Sequence, residues 1–154
     1  MSSDERHLID DERISDYGRL VEAQRHLHRI FDRSLRSQAG ISSIWYEAML
    51  RLARATQGRL STSDLGESLV LSSGGVTRLV DRLVERGFVE RISDEADRRV
   101  VWVSLTPAGF DVLAEATRIH LEDLEEHFVS RLDAAERQTL KKLLRHLRRP
   151  PSPS

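Results

Sequence analysis

Between Leu71 and Gly87 the chain reads LSSGGVTRLVDRLVERG. Its polar residues are types that bond phosphates and base edges: the hydroxyls of Ser72, Ser73 and Thr77, and the guanidiniums of Arg78 and Arg82. An arginine can fork onto guanine or clamp a phosphate, and Ser and Thr bond either. Two glycines, Gly74 and Gly75, fall in the first turn of what should be a helix, where they cost stability. Small residues at a helix tip let another molecule's surface come close. The exposed N–H groups and the positive end of the helix dipole there favour phosphate. This chemistry is recognition of a polyanion.

Other chemistry is hard to find. The chain has no cysteine, so disulfides, thiolate metal sites and thiol catalysis are excluded and a reducing compartment fits. No Ser/His/Asp arrangement, phosphate loop or paired-carboxylate site stands out, and we expect no enzyme and no cofactor. Asp123 and His127 share a helix face and could hold a metal with His120, but a solvated i,i+4 pair is the ordinary reading, and no metal is expected. Trp45 and Tyr46 serve either core or dimer packing or the wall of an effector pocket, which His26 and His28 would also face. The basic run KKLLRHLRR ending at Arg149 is read as a solvated face with cations at a helix C-terminus.

The elements that must position the LSSGG segment follow from periodicity. Apolar residues recur at helical spacing from Ile14 to Leu35, and Gly40 ends that helix. Ser42 caps a helix running to about Thr56 that is apolar most of the way round, hence buried. After a short extended link, Arg59 to Ser61, a brief helix capped by Ser61 or Thr62 ends near Leu69. Ser72 caps the next, whose inward face is Val76, Leu79, Val80 and Leu83 and whose stop is Gly87. The period then changes: FVERI and VVWVSL are β-branched and aromatic runs joined by a polar loop, a β-hairpin with a long tip. Thr106 and Pro107 open a long helix with a narrow apolar stripe to Phe128. Asp133 and Glu136 form a capping box for a last helix.

Two short helices joined by a tight turn and followed by a β-hairpin make a winged helix-turn-helix. The expected fold class is mainly α (α+β), with a three-stranded wing sheet and helices at both ends. In such a unit the second helix enters the major groove. At 154 residues the chain makes one domain. No apolar run approaches the roughly 20 residues of a membrane span, and a cytoplasmic protein is the expectation. The net charge of −1 does not announce a polyanion partner. From Leu71 to Leu105 six arginines, including Arg98 and Arg99 of the hairpin tip, are balanced by six carboxylates. Segregation by face must therefore do what net charge does not. Asp94 and Asp97 are expected to brace the tip arginines, and Arg99 to enter a narrow minor groove.

The segments LSTSDL (60–65), VTRLVDRL (76–83), ERGFV (85–89), DxxDRR (94–99) and VSLTPAG (103–109), in this order and spacing, resemble the MarR family of bacterial transcription regulators over Tyr17 to Leu147. The resemblance implies an obligate homodimer with interlocked first, fifth and sixth helices. It also implies a pseudo-palindromic operator and, often, a small ligand that changes DNA affinity. Arg99 matches the family's wing arginine. Gly74 and Gly75 depart from the pattern, where bulkier or polar residues are usual, so Arg78 and Thr77 carry more of the base reading. The dimer also has a footing in the residues: the outer helices carry more apolar stripe than a small winged helix can cover, and a second copy would bury it. It would set two recognition helices roughly 34 Å apart, one turn of DNA.

We therefore expect a flexible arm over 1–16, one domain over 17–149 and a disordered tail over 150–154. Within the domain, 59–105 is the DNA-binding lobe, and 17–40 and 107–149 are dimerisation helices. The expected DNA contacts are Ser61, Thr62, Ser72, Ser73, Gly74, Gly75, Thr77, Arg78, Arg82, Arg98 and Arg99. The expected partners are double-stranded DNA, a second copy of the chain and a small-molecule effector, with no membrane. The function expected is a ligand-responsive repressor; the alternative is a winged-helix protein-interaction module without DNA affinity.

Overall fold

The computed structural model describes residues 8–94 and 100–147. Helix α1 (Glu12–Ser34) runs into a π turn, Leu35–Ala39, closed by Gly40 at φ 68°. Then come α2 (Ser43–Arg54), β1 (Arg59–Ser61), α3 (Thr62–Ser68), α4 (Ser73–Glu85), β2 (Val89–Ser93), β3 (Val101–Leu105), α5 (Pro107–His127) and α6 (Ala134–Leu147). The helix expected from Ile14 opens at Glu12, so the last five residues assigned to a flexible arm are helical. The arm's first seven residues and the 150–154 tail lie outside the described residues.

The chain divides into two compact units, one of His28–His120 and one of the residues before and after it. The first has its own core. Leu35, Met49, Leu52, Leu65, Val80, Leu83 and Val103 are all buried in it, with Ala116 from α5. Its sheet is antiparallel in the order β1-β3-β2, with Trp102 opposite both Ser61 and Ile92. This is the three-stranded wing sheet expected from the sequence. The second unit is different: neither α6 nor any part of α1 contains a buried residue. Its capping box forms as expected, with Glu136 N–H donating to Asp133 Oδ1 and Asp133 N–H to Glu136 Oε2, each at 2.8 Å.

Three local devices hold the winged unit. Thr106 Oγ1 donates to Gly87 O at 2.6 Å and accepts from Gly109 N at 3.0 Å. A Cβ on Gly109 would lie 1.9 Å from Phe88 O, so only glycine lets α5 start against that backbone. Gly87, at φ 70°, ends α4 with bonds from its own N–H to Val84 O and from Phe88 N–H to Leu83 O, a Schellman close.

The same close ends α3, from Val70 N to Glu67 O and from Leu71 N to Gly66 O, but its left-handed residue is Val70, at φ 55° and 92% exposed. A β-branched residue there is strained, and no burial offsets the cost.

At the start of α2 the expected cap is absent. Ser42 occupies the N-cap position but makes no side-chain capping bond. Asp32, from α1, supplies it instead: its Oδ1 accepts from Ser43 N and Ser43 Oγ, each at 2.8 Å, and its Oδ2 from Arg36 Nε at 2.6 Å. Burial pushes the Asp32 carboxyl up, but these hydrogen bonds and the Arg36 charge outweigh it and hold the group down at about 2.

Two outcomes are expected. Val70→Gly removes the strain and should raise unfolding stability by about 1 kcal/mol, read from urea melts. The lowered Asp32 carboxyl contributes stability that is fully present above the ordinary carboxylate range and lost as pH falls from about 5 through about 2. Asp32→Asn should therefore cost about 2 kcal/mol at pH 7, and the gap to wild type should close as urea melts are taken down towards pH 2. A gap that stays constant with pH would refute the assignment.

Candidate nucleic-acid interface

Helix α4 is fixed about its own axis by four buried residues, Val76, Leu79, Val80 and Leu83. That rotation turns Ser73, Gly74, Thr77, Arg78 and Arg82 to solvent. Ser72 is the N-cap and its Oγ accepts from Gly75 N at 3.2 Å, so its contribution is to the helix start. Thr77 Oγ1 donates to Ser73 O at 2.8 Å. Its proton is thereby used, while its oxygen remains an acceptor and its methyl remains exposed. Arg78 and Arg82, one turn apart, have no ion-pair partner among the described residues.

Three carboxylates of the segment from Leu71 to Leu105 are engaged, while Glu85, at the end of α4, is exposed. Asp81 Oδ1 accepts from Arg91 Nη2 of β2 at 2.5 Å, which ties the helix to the wing. Glu90 Oε1 accepts from Ser104 Oγ at 3.3 Å, and Asp94 Oδ2 from Trp102 Nε1 at 2.7 Å. Arg98, Arg99 and Asp97 lie outside the described residues.

A groove of about 860 Å³ runs along this face, bounded by the start of α3, by α4 and by the wing. It brings together Ser61, Thr62, Ser73 and Thr77 with Arg91 and Trp102. Ser61 caps α3, accepting from Asp64 N at 3.0 Å, and Thr62 Oγ1 donates to Val101 O at 3.2 Å. Gly74, Gly75, Arg78 and Arg82 do not line the groove; the last two and Gly74 form the exposed face next along the helix. Arg91 and Trp102 were absent from the expected site. Alternation could have found Trp102: Val101, Val103 and Leu105 share one face of β3, so a large aromatic stands on the other.

The residues expected around an effector separate. His28 and Tyr46 line a cleft of about 580 Å³ with Phe31, Arg36, Glu47 and His120. The His120 ring meets Phe31 edge-on at 4.9 Å between centroids and Tyr46 at 5.1 Å. His28 Nε2 is 3.5 Å from Ser43 Oγ. Trp45 is elsewhere: it packs on the core, with Phe88 at 6.3 Å and the Arg86 guanidinium at 6.0 Å from its ring centroid. His26 is exposed on α1 in the other compact unit. Among the described residues no cluster of three His, Asp or Glu side chains could hold a metal, and no helix is long and apolar enough to cross a membrane.

Residues 50–101, which span α3, α4 and most of the hairpin, match the family model described as the MarR family. A putative transcriptional regulatory protein for the hcr operon of Thauera aromatica is 31% identical over 121 residues, 79% of this chain and 71% of that protein. The chain belongs to the MarR family. The multiple antibiotic resistance protein MarR of Salmonella typhimurium is 32% identical over 90 residues, 58% of this chain, and the match spans only 62% of that relative. A mutant MarR from E. coli, solved with operator DNA, superposes with a TM-score of 0.73 at 27% identity, covering 89% of this chain and 96% of that one. Members of the family are transcription regulators, not enzymes.

The two glycines of this MarR-family helix differ in what a side chain would meet. A Cβ on Gly74 would touch nothing within 4 Å, whereas one on Gly75 would press on the capping Ser72 Oγ at 3.2 Å. Gly74→Ala should thus stabilise the protein by about 0.5 kcal/mol, and Gly75→Ala by less or not at all, in thermal melts of the two variants. A destabilised Gly74→Ala would mean that the fold itself needs the glycine.

Proposed function

We propose that the chain is a sequence-specific DNA-binding transcription regulator that works as a homodimer, with α4 of each copy in the major groove. The observation that carries this is Gly74: the protein gives up helix stability at an exposed tip where its own packing leaves room for a side chain. Close approach of an external surface accounts for that choice. The neighbouring Arg78 and Arg82, with no acidic partner among the described residues, make that surface anionic. Base reading falls to Arg78 and Thr77, and phosphate contact to Arg82, Ser73 and the start of α3. From the hairpin tip, Arg98 and Arg99 add contacts to the minor groove and its phosphates.

Pairing of two copies is supported by the second compact unit. Tyr17, Leu121, Leu143 and Leu147 are each more than half exposed, and a helix such as α6 without a buried residue is marginal alone in water. We read the cleft at His28 and Tyr46 as the seat of a small-molecule effector, since its volume falls in the range of small-ligand sites. The effector would relieve repression by favouring the dimer arrangement that fits DNA less well, by as much as its affinity for the two arrangements differs.

The test is a gel shift of the full chain on duplex DNA from upstream of its own gene, at rising salt, with sedimentation of the free protein. A specific band that weakens steeply with salt, from a protein of twice the chain's mass, is expected. Gly74→Ala should bind the same duplex less tightly although it folds more stably. A monomer, or no retention even at low salt, would refute the proposal and leave the protein-docking alternative.

A further inference from the structure

We propose that Trp102 is a positioning residue for DNA binding: it fixes the base of the wing, and with it the point from which the arginine-bearing tip leaves the sheet. The inference rests on the DNA-binding reading above. Trp102 stands in the central strand, opposite Ser61 on one side and Ile92 on the other. It points away from the face that Val103 and Leu105 bury, so the core does not require it.

Its two functional features are both engaged. The indole N–H donates to Asp94 Oδ2 at 2.7 Å, the short distance of a bond to a carboxylate. The Arg59 guanidinium lies over the ring, 4.7 Å from its centroid, and is itself within hydrogen-bond reach of Gln57 Oε1, at 3.4 and 3.5 Å. A partly buried tryptophan is thus held in one orientation by a cation on its face and an anion on its edge.

Asp94 is the residue at which the chain leaves β2. Its backbone N–H also donates to Val100 O at 3.2 Å, so the two ends of the tip are pinned to each other and to the central strand. Trp102 meanwhile borders the groove that Thr62 and Thr77 line. One side chain therefore ties the take-off of the wing to the surface beside α4. Such pinning lowers the ordering entropy that DNA binding must otherwise meet.

The test measures fluorescence anisotropy of a labelled upstream duplex with the full chain, at several KCl concentrations below each variant's melting range. The variants are Trp102→Phe, which keeps an aromatic face for the cation but lacks the donor, Asp94→Ala, Asp94→Asn, and the Trp102→Phe/Asp94→Ala double change. Each of the first two should weaken binding about tenfold and make the salt slope shallower by about one unit. Asp94→Asn, which keeps an acceptor for the indole N–H, should bind more tightly than Asp94→Ala. The double change should be no worse than the worse single one, because both break the same bond. Wild-type affinity and slope in Trp102→Phe would overturn the role while leaving DNA binding intact. So would additive losses, which would mean that Trp102 touches DNA independently of Asp94. Absence of binding by the wild-type chain itself would instead overturn the DNA-binding reading, and this role with it.

Discussion

The rotation of α4 about its axis is the constraint from which the candidate interface follows. Burying Val76, Leu79, Val80 and Leu83 against the core supplies roughly 6–12 kcal/mol of gross hydrophobic stabilisation. Turning the helix by even one residue position would expose part of that stripe and bury charged Asp81 or Arg78 in its place. The outer face is therefore set by what the inner face must cover. Its composition is then free to be chosen for something else, and what is found there is a bare glycine, a threonine whose proton is already committed, and two arginines.

Charge follows the same division. Counted along the chain, the segment from Leu71 to Leu105 is neutral. In space, three of its acids, Asp81, Glu90 and Asp94, are drawn into contacts with the fold, while Glu85 stays exposed. Asp81 meets Arg91 across the α4–β2 seam, and Asp94 is taken by an indole N–H. Both ion-pair partners in the first case are well exposed, so that pair adds little to stability. Its consequence is electrostatic: it removes a carboxylate from the helix that would otherwise repel a polyanion, while Arg78 and Arg82 keep their charge available.

The winged unit was largely legible in the sequence because its signals are local and redundant. Ser72, Gly87 and Thr106–Pro107 mark element ends by chemistry that acts within a few residues, and the alternation in VVWVSL fixes the strand faces. What escaped was long-range or against propensity. Asp32 caps α2 from another helix, which no local window around Ser42 reveals. The π turn at Leu35–Ala39 inserts one extra residue per turn into a pattern that reads as plain helix. Val70 reads as a strand-forming residue in the apolar run LVL, yet it holds the left-handed position that usually demands glycine. In the candidate site, Trp102 was visible as a strand residue, but its role lies in partners eight and forty-three positions away.

The cost at Val70 and the cost at Gly74 stand at the two ends of one short connection. Both lie within five residues, both are exposed, and in both the stabler residue is the one the chain does not use: glycine at the left-handed turn, alanine in the helix. A connection shaped only by folding would exchange the two. That it does not places the departures from foldability around the entry to α4, which is where local rules are expected to yield when a surface serves recognition. The core beneath, with Leu65, Val76 and Val80 buried on either side of that connection, is what lets the turn keep its shape despite both.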